Sequence, residues 1–156
     1  MKSGLRFAAV AAAFLAVALV AGCSTYGRGA SVTYSYEPLY SFSGAKSYRW
    51  ADARPSSWGD PLVDSNVRYV ANQVLAAKGL ASKADKPDLV ISTSYSFAYG
   101  HELRTLVIDI SRADKNELVW RGMASGSIRT DAPSPDLKNA VEGILANFPP
   151  ASSAPR

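Results

Sequence analysis

The chain has 156 residues, with 17 Lys and Arg, 13 Asp and Glu, one His and one Cys. That length suits one domain, and one Cys with one His can build neither an internal disulfide framework nor a Cys/His zinc cage. Residues 1–22 hold Lys2, Arg6, no acid and 17 hydrophobic side chains; without them 15 basic side chains face 13 acidic ones, a net +2, which argues against a strongly basic nucleic-acid binder.

Lys2 and Arg6 precede an unbroken apolar run, Phe7–Val20. A helix of that length spans about 21 Å, short of the roughly 30 Å hydrocarbon core, so the run reads as the core of a secretory signal. Leu19-Val20-Ala21-Gly22-Cys23 resembles a bacterial lipobox: a branched apolar residue and two small ones lead to a Cys whose thiol can take a diacylglyceryl thioether. Each buried CH₂ contributes about 0.8 kcal/mol, so two or three acyl chains on Cys23 hold a protein stably at a membrane. Ser24 after the Cys, where Asp commonly signals inner-membrane retention, points to the outer membrane. Residues 1–22 are thus expected to be a lipoprotein signal peptide, and 23–31 the lipidated terminus and a tether.

Val32, Tyr34 and Tyr36 alternate with Thr33 and Ser35, which predicts a half-buried strand ended by Pro38. A second strand is predicted over Lys46–Trp50. Asp60-Pro61 is a helix start, and Val63, Val67, Val70, Val74 and Leu75 form an apolar stripe that Gly79 stops. Leu89, Ile91, Thr93, Tyr95, Phe97 and Tyr99 alternate with serines in a third strand, and Gly100-His101 turns the chain. Leu103–Ile110 and Leu118–Ala124 flank polar turn residues and predict a hairpin. Ser134-Pro135-Asp136 opens a second helix through Leu137, Val141, Ile144, Leu145 and Phe148, stopped by Pro149-Pro150. The order ββ-α-βββ-α predicts an α+β two-layer sandwich, a mostly antiparallel sheet of about five strands against two helices. The domain is expected over 32–150, with a disordered tail over 151–156.

Several segments, in order, carry a family resemblance. Tyr40-Ser41-Phe42-Ser43-Gly44-Ala45-Lys46-Ser47-Tyr48-Arg49-Trp50 resembles a "DFS.Y.TY.W" pattern, with Ser41 where Asp is common. Asp60-Pro61-Leu62-Val63-Asp64, Ala77-Lys78-Gly79-Leu80 and Pro87-Asp88-Leu89-Val90-Ile91-Ser92 fit the same template. So do Leu106-Val107-Ile108-Asp109, Glu117-Leu118-Val119-Trp120-Arg121-Gly122 and Phe148-Pro149-Pro150, with Asn116 replacing the usual turn Gly. Together they resemble the bacterial lipoprotein family known as domain of unknown function 4136. The resemblance implies a cell-envelope location and an α+β domain, and no catalytic residue.

Candidate chemistry is sparse. His101 is the sole possible imidazole base, and a triad would pair it with a Ser and an acid such as Asp109, but no nucleophile-elbow glycines are present. His101 and Glu102 are too few for a metal site and point apart on a strand. Asp114 reads as a turn residue, and Gly100, Gly122 and Gly126 lack phosphate-loop spacing. Trp50 and Trp120 read as core or near-core anchors, and Tyr34–Phe42 as the best exposed surface, with an edge strand to offer a partner. The expectation is a non-enzymatic, membrane-anchored periplasmic module that binds or scaffolds an envelope component, without cofactor, metal or nucleic acid. The alternatives are a small-ligand or lipid-binding protein with a pocket between sheet and helices, and a hydrolase dependent on His101.

Overall fold

A computed structural model describes residues 30–52, 60–83, 85–131 and 134–149. Cys23, the expected signal peptide and the expected tail lie outside these residues. The elements are β1 (Ala30–Tyr36), a 3₁₀ turn (Phe42–Gly44), β2 (Ser47–Trp50), α1 (Pro61–Ala77), β3 (Ala81–Ser82), β4 (Leu89–Tyr99), β5 (Glu102–Arg112), β6 (Leu118–Arg129) and α2 (Asp136–Ala146). The six strands form one sheet in the order β1-β6-β5-β4-β2-β3. Strands β1, β6, β5 and β4 run antiparallel in succession, while β2 is parallel to both β4 and β3.

The α+β sandwich with two helices is as the periodicity predicts, but the sheet has six strands, not about five, and the order is ββ-α-ββββ-α. The added strand, β3, is two exposed residues without any apolar alternation. Backbone bonds define it: Ala81 N–H donates to Lys46 O at 2.9 Å and Lys83 N–H to Tyr48 O at 2.7 Å. Ala30 and Ser31 already belong to β1, paired with Gly126 and Ser125, so the fold begins two residues before Val32.

Cross-strand rows explain why the layers separate cleanly. Ile91, Ile110, Trp120 and Tyr36 align on one face, as do Thr93, Ile108, Gly122 and Tyr34, and Tyr95, Leu106, Ala124 and Val32. The helices cover this face with Val63, Val67, Ala71 and Leu75 from α1 and Leu137, Ala140, Val141, Ile144 and Leu145 from α2. Ala71, not Val70 or Val74, completes the fully buried stripe of α1; those two valines are half-buried at its margin. The opposite face aligns Ser92, Asp109, Arg121 and Ser35; Ser94, Val107, Met123 and Thr33; and Ser96, Thr105, Ser125 and Ser31. No helix covers that face among the described residues. Arg121 grips Asp109 there through two N–H···O contacts of 2.7 Å.

Local chemistry fixes the element ends. The Asp60 carboxylate accepts from Leu62 N–H at 2.8 Å and Val63 N–H at 3.4 Å, with Pro61 in the first turn. At the other end Leu80 N–H donates to Leu75 O and Gly79 N–H to Ala76 O, a Schellman closure with Gly79 at φ +84° and both leucines buried. Asp88 clasps the start of β4 to β2: its Oδ2 accepts from Lys46 N–H, Ser47 N–H and Ser47 Oγ–H at 3.0, 2.9 and 2.7 Å. These hydrogen bonds, the Lys46 backbone bond foremost, hold its carboxyl below the usual carboxylate range.

Two predictions follow from these contacts. At Gly122 a Cβ would overlap the Trp120 ring and Cγ2 of Ile144, so Gly122→Ala should cost about 1–3 kcal/mol in urea unfolding by overpacking the sheet–α2 contact. Because the Asp88 pKa is lowered by folding, its stabilisation is present above the unfolded-state value near pH 4 and is lost as pH falls through the folded value. The stability gap between the native protein and Asp88→Asn should therefore be constant above about pH 5 and close below about pH 4. Thermal melts across that range check it.

Candidate functional site

Strand β2 brings Trp50 to the rim of the helix-covered face. Its indole N–H donates to Asn72 Oδ1 at 2.9 Å, and the Tyr48 hydroxyl donates to the same oxygen at 2.7 Å. Asn72 reaches both because it lies on α1, which passes over β2. The Tyr48 and Trp50 rings meet edge to face at 6.3 Å, and the Arg68 guanidinium stands 5.1 Å from the Trp50 centroid. Arg68 Nε lies 2.9 Å from Asp64 Oδ2 yet off the line of its N–H, so the pair is an ion pair rather than a directed hydrogen bond. Asp64 also accepts from Thr93 Oγ1–H at 3.1 Å. Burial raises the Tyr48 pKa, consistent with a hydroxyl enclosed beside its acceptor.

Beside this braced indole an open hollow of about 440 Å³ is lined by Arg49, Trp50, Asp52, Ser82 and Lys83. It offers an aromatic surface, two cations, one carboxylate and one hydroxyl. Such a set suits reversible binding of a polar ligand, with no nucleophile activated by an adjacent base. The hollow is at the β2–β3 margin, not between sheet and helices where the ligand-binding alternative would put it. There Leu75, Leu89, Ile91, Leu106, Ile108 and Ile144 are fully buried and leave no room for a water molecule beside them.

The other sequence candidates fall apart in space. His101 is exposed at the β4–β5 turn, its backbone carbonyl accepting from Thr130 N–H at 2.8 Å. Asp109 lies eight residues along β5, about 26 Å away at strand rise, and is engaged by Arg121. The two therefore make no triad. Asp114 is a turn acid bound to Arg112 through contacts of 3.0 and 2.6 Å. Among the described residues no three His, Cys, Asp or Glu side chains gather as metal ligands. No helix among them is long and apolar enough to cross a membrane.

The aromatic stretch Tyr34–Phe42 divides. Among the described residues strand β1 is an edge strand paired with β6 alone, and Tyr34 and Leu39 are exposed. Tyr40 and Phe42 instead start an inward chain of edge-to-face rings, Tyr40–Phe42–Phe148–Trp120, at 4.6, 5.4 and 5.4 Å. Trp120 is wholly buried, and its indole N–H finds no acceptor among the described residues. Trp120 and Trp50 thus differ: the first closes the core, the second rims the hollow. Asn72, Ser82 and Lys83 went unread in sequence, since an Asn within a helix and a Ser-Lys pair after one resemble any polar surface.

A family model described as Domain of unknown function (DUF4136) matches residues 32–150. No curated protein matches the chain. Among solved structures, a DUF4136 family protein from Bacteroides thetaiotaomicron superposes with a TM-score of 0.58 at 14% identity, over 76% of this chain and 94% of that one. A PelC dodecamer from Paraburkholderia phytofirmans gives 0.54 at 16% identity, over 75% of this chain and 96% of that one. A PDZ domain protein from Parabacteroides distasonis gives 0.55 at 14% identity, over 76% of this chain and 35% of that longer one. At such identities the likeness is one of fold.

The bracing of the indole is testable. Asn72→Ala strands the enclosed Tyr48 hydroxyl and should cost about 1–3 kcal/mol in urea unfolding. Asn72→Asp, which keeps an acceptor, should cost less.

Proposed function

We propose that this chain, which belongs to the DUF4136 family, is an acyl-anchored envelope protein whose domain is a non-enzymatic binding or scaffolding module in the periplasm. The observation that carries this reading is the order of its N-terminal features. A charged start, a short apolar run and Leu19-Val20-Ala21-Gly22-Cys23 stand immediately before a domain whose first strand opens at Ala30. Acyl chains on Cys23 anchor the polypeptide by partition into lipid, without a spanning helix. Ser24 favours delivery to the outer membrane. The separation of His101 from Asp109 supports binding rather than hydrolysis as the role of the domain.

A second reading is small-ligand binding, favoured by the hollow beside Trp50, where ring and cations together suit a polar, anion-bearing molecule. Titration of such ligands against Trp50→Ala would separate it from scaffolding.

The anchor is tested in intact cells with labelled palmitate. The native protein should incorporate label and sediment with membranes, whereas Cys23→Ala should persist as an unlabelled, uncleaved precursor. Normal processing and membrane retention of Cys23→Ala would overturn the assignment. Crosslinking of the native protein in the same cells should capture a reproducible envelope component.

A further inference from the structure

We propose that the tip of the β4–β5 hairpin is a second membrane contact, seating Tyr99 and Phe97 in the headgroup region of the bilayer that holds the acyl anchor. The inference rests on the anchor reading above and adds an orientation to it.

The sheet places this tip and the start of the domain at one end. β1 is antiparallel to β6, β6 to β5 and β5 to β4, so the N-terminus of β1 and the C-terminus of β4 point the same way. Ala30 pairs with Gly126, and β6 continues to Arg129, which pairs with Glu102 next to the turn. The turn therefore projects about 10 Å beyond Ala30, and β4 stands three strand spacings, about 14 Å, to its side.

Chain length then chooses between two exposed apolar ends. Cys23 is seven residue steps from Ala30, a reach of at most about 25 Å whatever its path. At the far end of the sheet, Leu118 and Leu39 are also exposed. But Leu118 lies eight residues of strand from Gly126, about 27 Å from the level of Ala30, so seating that end would overextend the connection. The hairpin end can reach the bilayer while Cys23 remains in it.

The tip also has suitable chemistry. Tyr99 is 90% exposed and Phe97 38%, although both continue the alternation that buries Leu89 and Ile91. Phe97 pairs with the fully buried Leu103, and Tyr99 with Glu102, the last pair before the turn, so the alternation runs out of the core at the hairpin tip. Phe97 is held edge-on to Tyr95 at 5.7 Å, so its ring is already positioned. Tyr is favoured at the membrane–water boundary, where its ring partitions and its hydroxyl stays hydrated. Charges around the tip balance: Arg104 is exposed, Glu102 flanks the turn, and Arg129 is paired with Asp131 at 2.7 Å. Ring partition rather than attraction to anionic lipid drives the contact, and it should be insensitive to salt.

The test uses the full acylated chain in phosphatidylethanolamine–phosphatidylglycerol vesicles. Cys23 is the single native cysteine, and its thioether leaves Tyr99→Cys as the one free thiol; Lys115→Cys in the β5–β6 turn is the control from the opposite end. An environment-sensitive fluorophore at 99 should shift to the blue on reconstitution and be quenched several-fold more by headgroup-nitroxide lipids than the same fluorophore at 115. Equal, water-like emission and quenching at both positions in membrane-bound protein would overturn the contact. Shielding at 99 without nitroxide quenching would overturn it in favour of protein–protein contact. A failed anchor reads differently: native protein would take up the fluorophore at Cys23 and would not remain with the vesicles.

Discussion

The structure depends on how closely α2 can approach the sheet. Among the described residues Trp120 is the largest fully buried side chain, and its ring has room only because the next position on its face, Gly122, has no side chain. Ile144 then descends into the same notch. The ring chain to Phe148, Phe42 and Tyr40 extends this contact to the loop after β1, tying both ends of the described domain to one point of the sheet. The arrangement also encloses an indole N–H that finds no acceptor among the described residues. The same indole could not be exchanged for a smaller ring without opening a void.

The periodic elements were legible because their burial is one-sided. Helices α1 and α2, the long strands and the polar β5–β6 turn all repeat a pattern over several residues. Asn116 indeed adopts φ +55°, as its tolerance of the left-handed region suggests. What escaped is what depends on distant partners. Strand β3 exists because Ala81 and Lys83 find β2 carbonyls, and no feature of an Ala-Ser pair announces that. The rim of the hollow combines β2 and β3 with the residues that follow each, so its residues share no local motif. Phe97 and Tyr99 continue the apolar alternation of Leu89 and Ile91, and only their place at the hairpin end leaves them exposed.

Taken by face and end, the molecule is asymmetric in chemistry. One sheet face is an apolar floor under two helices; the other is a field of hydroxyls crossed by the Arg121–Asp109 pair. One lateral margin carries the Trp50 hollow and the other is the edge formed by β1. A module tethered beside Ala30 and resting on its hairpin tip would present both margins and the hydroxyl face sideways, parallel to the bilayer. Those surfaces would then be open to soluble or membrane-bound partners alike.

The pairing of β1 has a temporal consequence. Its strand partner among the described residues is β6, so Ala30 must meet Gly126, a residue near the opposite end of the domain. A ribosome makes the chain from its N-terminus. The first strand to emerge is consequently left waiting until almost all the others have been synthesised. Closure of so long a loop is slow relative to local helix formation, so the edge of the sheet is completed last.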